Sequence, residues 1–273
     1  MTRRRRAALG QALALAAVLA LFLTPVVWLL STAYQPPGDI FAIPPRLFPG
    51  RLTLANFHAA AALFDIPLLV LNSTAMTLGS TALALAFGVP AGYALARVRA
   101  RWAGWAGGLF LAVRMVPAAA TLIPFYLFMR DVGLLGTWLA VILVQAMQST
   151  AFVAWMMAGT FRQVPREVEE AAALDGASRL GVFARVALPM AVTGVVTCAL
   201  FCGLFAWNDF LFPAFLTTLR TKPLAVALLS AYGTKDITWG TLGALAHFAV
   251  LPPVIAAVAL NRFFVQGVTR GVT

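Results

Sequence analysis

The sequence predicts an all-α, polytopic membrane protein with six transmembrane helices, and three observations carry that prediction. The 273 residues are 62% hydrophobic and 11% charged, too few ionisable groups to clothe a water-soluble body of that size. Six apolar runs are each long enough to cross roughly 30 Å of hydrocarbon, which takes about 20 residues of helix. The formal charge of +11 falls in small groups between those runs. A nucleic-acid face needs its cations gathered on one solvated element, so this scatter speaks for membrane topology and against a nucleic-acid partner.

Residues 1–8 form a short cytoplasmic N-terminus, and 9–273 a single membrane domain in contact with lipid. The expected spans are 9–33, 68–95, 105–129, 134–158, 190–216 and 242–264. The first follows Arg3, Arg4, Arg5 and Arg6 as a signal peptide would, but its apolar run is nearly twice the usual length, so it is an uncleaved anchor. Residues 34–67 hold six prolines, which resist helix and central strand, and form an external loop. A short helix is expected after Thr53, where Leu54, Phe57 and Ala61 share a face. In the second span Gly79, Ala82, Ala86 and Gly88 offer close helix contact without naming the partner. The third contains Arg114, which either faces a translocation path, makes a salt link, or sits at the interface because the span boundary is shifted. In the fifth, Cys198 and Cys202 lie one turn apart, a placement for core packing rather than a disulfide or a metal site. The same span carries Trp207-Asn208-Asp209, an interface belt or a polar contact to a neighbouring helix.

Orientation follows from the basic residues. With the N-terminus inside, thirteen Lys and Arg fall on the cytoplasmic side and six on the outer side, so both termini are cytoplasmic.

One segment does not belong to the bilayer. Residues 159–189 carry Arg162, Arg166, Glu167, Glu169, Glu170, Asp175, Arg179 and Arg185 between the fourth and fifth spans. Pro165 suits the first turn of a helix, with Glu167, Glu169 and Glu170 near its positive end, running to about Leu174. Gly176 stops it in a left-handed conformation, and Ser178 caps a second helix that reaches Leu188. Leu180, Phe183, Val186 and Ala187 make an apolar stripe that docks on the span ends. The other face, with the small Ala171 and Ala172 beside Glu170, is left to water or to a partner that approaches the backbone closely.

The spacing goes further. Glu170-Ala171-Ala172, three residues, Gly176, nine residues, Val186, one residue, Leu188-Pro189 resembles the EAA signature of the permease subunits of bacterial ATP-binding cassette importers. Phe161 to Glu167, Asp175-Gly176-Ala177-Ser178, Trp207-Asn208-Asp209-Phe210, Asn72-Ser73-Thr74 and Arg262 to Thr269 resemble the carbohydrate branch of that family, in particular the smaller permease of the maltose-type pair. The likeness runs from Arg6 onward; Asp209 stands where the family usually has Glu, and the sequence stops at Thr273 where maltose-type members carry a tail.

The resemblance implies the type I importer permease fold in a bacterial inner membrane, and a second, homologous permease completing a heterodimer. It also implies a cytoplasmic ATPase dimer and an external binding protein that delivers a carbohydrate, polyol or sugar phosphate. Glu170, Ala171, Ala172, Asp175, Gly176, Arg166 and Pro189 would meet the ATPase. Asn208, Asp209, Arg114 and Asn72 are candidates for the path. No catalytic or metal residue is expected and no cofactor on this chain: it has no Gly-rich, Lys-Ser/Thr phosphate loop, and ATP is used by the partner subunits. The alternatives are a permease for a non-sugar solute and an ion-coupled carrier, the latter disfavoured because Asp209 is the lone acidic candidate within a span.

Overall fold

The computed structural model describes residues 3–43, 47–48, 50–98, 108, 112, 115–232 and 238–270. Every regular element among them is helical: α1 (Arg3–Thr32), α2 (Ala55–Leu63), α3 (Ile66–Arg97), α4 (Ala118–Asp131), α5 (Trp138–Arg162), α6 (Arg166–Leu174), α7 (Arg179–Met190), α8 (Val192–Asn208), α9 (Leu211–Leu216), α10 (Leu224–Ala231) and α11 (Trp239–Arg270). Four stretches, Gly10–Thr32, Ile66–Arg97, Trp138–Arg162 and Trp239–Ala259, are long and apolar enough to cross a membrane; α7 with α8 makes a fifth if that bent pair is one span. Of the expected third span only α4 and a few residues before it are described, and Arg114 lies outside the described residues.

The chain forms two compact units, 1–67 with 227–251 and 68–226 with 252–273. In the first, Asn56 of α2 closes the open end of α1: its Nδ2 donates to the carbonyls of Thr32 (3.3 Å), Ala33 (3.0 Å) and Gln35 (2.8 Å). Thr32 Oγ1 donates to the Trp239 carbonyl, and Tyr34, Phe57 and His247 form an aromatic cluster. The short helix after Thr53 is present, but its inner face is Asn56, Phe57 and Ala60; Leu54 and Ala61 are exposed. The open carbonyls of α1 make burial of the polar Asn56 favourable and so set the rotation of α2.

In the second unit α3 and α5 pack through glycines. A Cβ on Gly88 would lie 2.6 Å from Val153 Cβ, one on Gly92 would lie 2.6 Å from Met157 Cβ, and one on Gly79 would lie 2.8 Å from Ile142 Cδ1. Ala82 and Ala86 point away, so the contacting small residues are Gly79, Gly88 and Gly92. The fourth span starts at Trp138 rather than Leu134. Gly133 and Gly136 take positive φ (73° and 80°), and Thr137 Oγ1 caps α5 from Ala140 N at 3.3 Å. Cys198 and Cys202 are not joined in a disulfide and are buried with Val153, Met157, Phe161 and Ala187.

The fifth span is not one helix. At Asp209 the backbone is extended (ψ 122°), and the carboxylate Oδ1 accepts from Leu211 N at 3.0 Å, restarting the chain as α9.

Candidate functional site

The polar segment between α5 and α8 is two helices, α6 and α7, the second of which buries Ala187 and packs Phe183 and Leu188 against the core of the second unit. Pro165 precedes α6, where its missing N–H leaves nothing unpaired, and Glu167 and Glu169 occupy the first turn, against the positive helix end. At the other end Gly176 has φ 90°; Ala177 N donates to Ala172 O and Gly176 N to Ala173 O, closing the helix with a left-handed cap. Ser178 Oγ then accepts from Gly181 N at 3.2 Å to start α7. A π turn over Phe183–Ala187 runs into Pro189, and α7 meets α8 at 77°.

Glu170, Ala171, Asp175, Gly176 and Pro189 are exposed, Ala172 and Arg166 half-buried. Arg166 Nη2 donates to the Ala96 carbonyl at 3.4 Å, so it also braces the segment. Leu180, expected on the buried stripe, is 74% exposed, and Leu174 is 90% exposed. The stripe is instead Val182, Phe183, Val186 and Ala187, because the wide π turn shifts the phase between Leu180 and the residues after it. Two leucines thus flank the left-handed turn on its open side.

Glu169, one residue before the signature glutamate, faces inward and is 8% exposed. Arg97 Nε donates to its Oε1 and Oε2 at 3.0 and 2.9 Å, Arg97 Nη2 to Oε1, and Tyr93 Oη to Oε2 at 2.9 Å. Burial pushes the Glu169 pKa up, but the hydrogen bonds from Arg97 and Tyr93 outweigh it and hold the carboxyl below its ordinary range. A crevice of about 470 Å³ opens beside this cluster, lined by Arg97, Arg166, Glu170, Ala173, Ala177 and Arg179 among others. Sequence expectations single out neither Arg97 nor Tyr93. The available signal was the helical spacing of Arg166, Glu169 and Ala172, which turns a carboxylate toward the span ends and demands a cation there.

The path candidates separate. Asn208 and Asp209 line a cavity of about 450 Å³ with Gln145, Gln148, Ser149 and Phe205. Gln145 Nε2 donates to Asp209 Oδ2 at 3.0 Å while its Oε1 is buried and unpaired. Asn208 Nδ2 donates back to the Leu204 carbonyl. Asn72 is fully buried, and its amide is spent on structure: Nδ2 donates to the carbonyls of Arg220 and Lys222, and Oδ1 accepts from Trp138 Nε1. Among the described residues no group of three metal-ligating side chains occurs.

Long apolar helices with one polar helix pair between two of them define an integral membrane protein. Residues 88–270 match the family model of the binding-protein-dependent transport system inner membrane component. The chain belongs to that family; it is a transport subunit and not an enzyme. It is 32% identical over 92% of its length to a probable ABC transporter permease of Sinorhizobium fredii, covering 90% of that protein. It is 31% identical over 91% of its length to a sulfoquinovosyl glycerol transport system permease protein of Agrobacterium fabrum, covering 88% of it. A trehalose transport system permease protein of Mycobacterium tuberculosis is 29% identical, with 91% of each chain covered. The fold is that of a bacterial ABC transporter chain involved in importing the polysaccharide alginate, with a TM-score of 0.80, 23% identity, and 97% of this chain and 99% of that one covered.

Proposed function

We propose that this chain is one permease of an ATP-driven carbohydrate importer of a bacterial inner membrane, with both termini cytoplasmic. Residues 9–273 form its single membrane domain and 159–189 its coupling segment, and it works as a heterodimer with a second, homologous permease. The observation that carries this reading is the turn at Gly176, which holds Glu170, Ala171, Leu174 and Leu180 exposed on α6 and α7, the second of them bent by 77° from α8. An ATPase cleft closing on that surface would take the leucines as apolar anchors, the alanines as points of close approach and Glu170 as a charged hydrogen-bond acceptor. Asp175 and Arg166 would frame the contact, and Pro189 would lie at the lever's base.

Closure of a separate ATPase dimer swings α6 and α7, and the attached helices carry the opening from one face of the membrane to the other. Solute released by an external binding protein would pass the polar cavity at Asn208 and Asp209, with Arg114 a further candidate and Asn72 holding the adjoining loop. The sugar-transport names of the relatives support a carbohydrate, polyol or sugar phosphate as solute.

The experiment is reconstitution of this permease with a second permease, an ATPase and a binding protein of the same family from the same genome, the binding protein loaded with the sugar that titration calorimetry selects from a panel. Loaded binding protein should stimulate ATP hydrolysis, and Glu170→Lys should abolish that stimulation. Full stimulation in the Glu170→Lys complex would remove the coupling role from this segment.

A further inference from the structure

The coupling segment is covalently continuous with α5 through Gln163–Pro165 and with α8 through Ala191, whereas α3 meets it without a covalent link, through the Ala96 carbonyl that accepts from Arg166 Nη2 at 3.4 Å and through side chains of its own. Those side chains converge on one point. Arg97, the last residue of α3, places its guanidinium against the Glu169 carboxylate of α6 and sends a further bond from Nη2 to the Val164 carbonyl at 3.1 Å. Tyr93, one turn earlier, gives its hydroxyl to the same carboxylate. The Tyr93 ring packs edge-on to Phe161 of α5 (5.2 Å between centroids) and against Phe183 of the π turn (4.9 Å). The Arg97 guanidinium lies 5.7 Å from that ring centroid.

The ion pair of Arg130 with Asp131 joins sequence neighbours with side chains more than half exposed; that of Arg97 with Glu169 joins residues 72 apart with side chains 16% and 10% exposed. The planar guanidinium engages both carboxylate oxygens, which fixes orientation as well as distance in a way that a single point contact does not.

We infer that the Glu169–Arg97–Tyr93 cluster is the joint through which movement of the coupling segment is transmitted to α3. Glu169 and Arg97 are positioning residues: they bind neither solute nor nucleotide, and they make α3 follow α6. With the joint cut, the ATPase still grips the exposed face through Glu170, Leu174 and Leu180 and still turns over, but α3 lags and solute is not moved in step. The inference rests on the importer reading above and assigns a task to residues outside the signature.

The test uses the complete reconstituted complex and reads solute taken up per ATP hydrolysed, with subunit copurification as the measure of assembly. Glu169→Gln removes the charge with little change of shape, and Arg97→Lys keeps the charge but loses the fork. Both are expected to assemble, to keep ATP hydrolysis stimulated by binding protein, and to lower solute per ATP by at least about fivefold, the lower end of ordinary site-to-site coupling. The exchanged pair Arg97→Glu with Glu169→Arg should recover part of that ratio, which a role confined to folding would not produce. A wild-type complex without ATP-driven uptake overturns the importer reading and this inference with it. A coupled wild type with an unchanged ratio in Glu169→Gln and Arg97→Lys overturns the inference alone. So does loss of assembly in both single variants and in the exchanged pair, since the cluster would then only hold the fold.

Discussion

Gln145 donates to Asp209 across 3.0 Å, tying the first half of α5 to the place where the fifth span breaks. The same carboxylate accepts from Leu211 N, so one side chain both anchors the break and starts the next helix. Asp209→Ala leaves both donors short of a partner in a buried setting and should cost about 1–3 kcal/mol, seen as a lower thermal midpoint of the purified complex. Asp209→Asn retains an acceptor for Leu211 N and should keep most of that stability. A drop in uptake by this stable variant would locate the need in the charge.

Gly176 has φ 90° and open space around it, so the cost of a side chain there is confined to the backbone. Gly176→Val should cost about 1–2 kcal/mol and weaken retention of the ATPase on copurification. Gly176→Asn, whose residue type tolerates left-handed backbone, should retain the ATPase much better.

At Gly92 the backbone is ordinary and the space is missing. An alanine Cβ would meet Met157 Cβ at 2.6 Å and the Ala154 carbonyl at 2.8 Å, forcing α3 and α5 apart. Gly92→Ala should lower stability by about 1–3 kcal/mol. Gly159→Ala on the same α5, with nothing within 4 Å, should be neutral or stabilising by up to about 1 kcal/mol. Thermal unfolding of the two variants side by side checks the contrast.

Glu169 predicts a pH dependence of definite sign. Its folded pKa lies below the ordinary carboxylate value of about 4.3, so the stabilisation is fully present above that value and is lost as pH falls through the lower folded one. The difference in thermal midpoint between wild type and Glu169→Gln should be constant from about pH 6 to 8 and shrink below about pH 4. A difference that grew on acidification would contradict the Arg97 and Tyr93 assignment.

Much of the form of the polar segment was legible because its signals are local. Pro165, Gly176 and Ser178 each act on the backbone within a few residues, and all three sit at the helix ends expected of them. The stripe was misplaced at Leu180 because a π turn has no reliable local signature, and one wide turn is enough to change which residue faces in. The fifth span was expected whole because the apolar run resumes after Asn208-Asp209; the structure breaks it there, with Asp209 accepting from Leu211 N and from Gln145 on another helix.

Sequence alone determined the helical class, the membrane setting and the hinge between two capped helices, since hydropathy, periodicity and turn chemistry are written along neighbouring residues. Tertiary structure decided which of two adjacent glutamates is held and which is offered. Glu169 is turned onto Arg97, a residue 72 positions away, and Glu170 is left exposed. That choice depends on the rotation of α6 against α3, which follows from the close approach at Gly88 and Gly92 and the wedge of Tyr93 between Phe161 and Phe183. Contacts of that range arise only when packed helices meet: spacing within the segment turns Glu169 toward the span ends but does not name Arg97 as its partner.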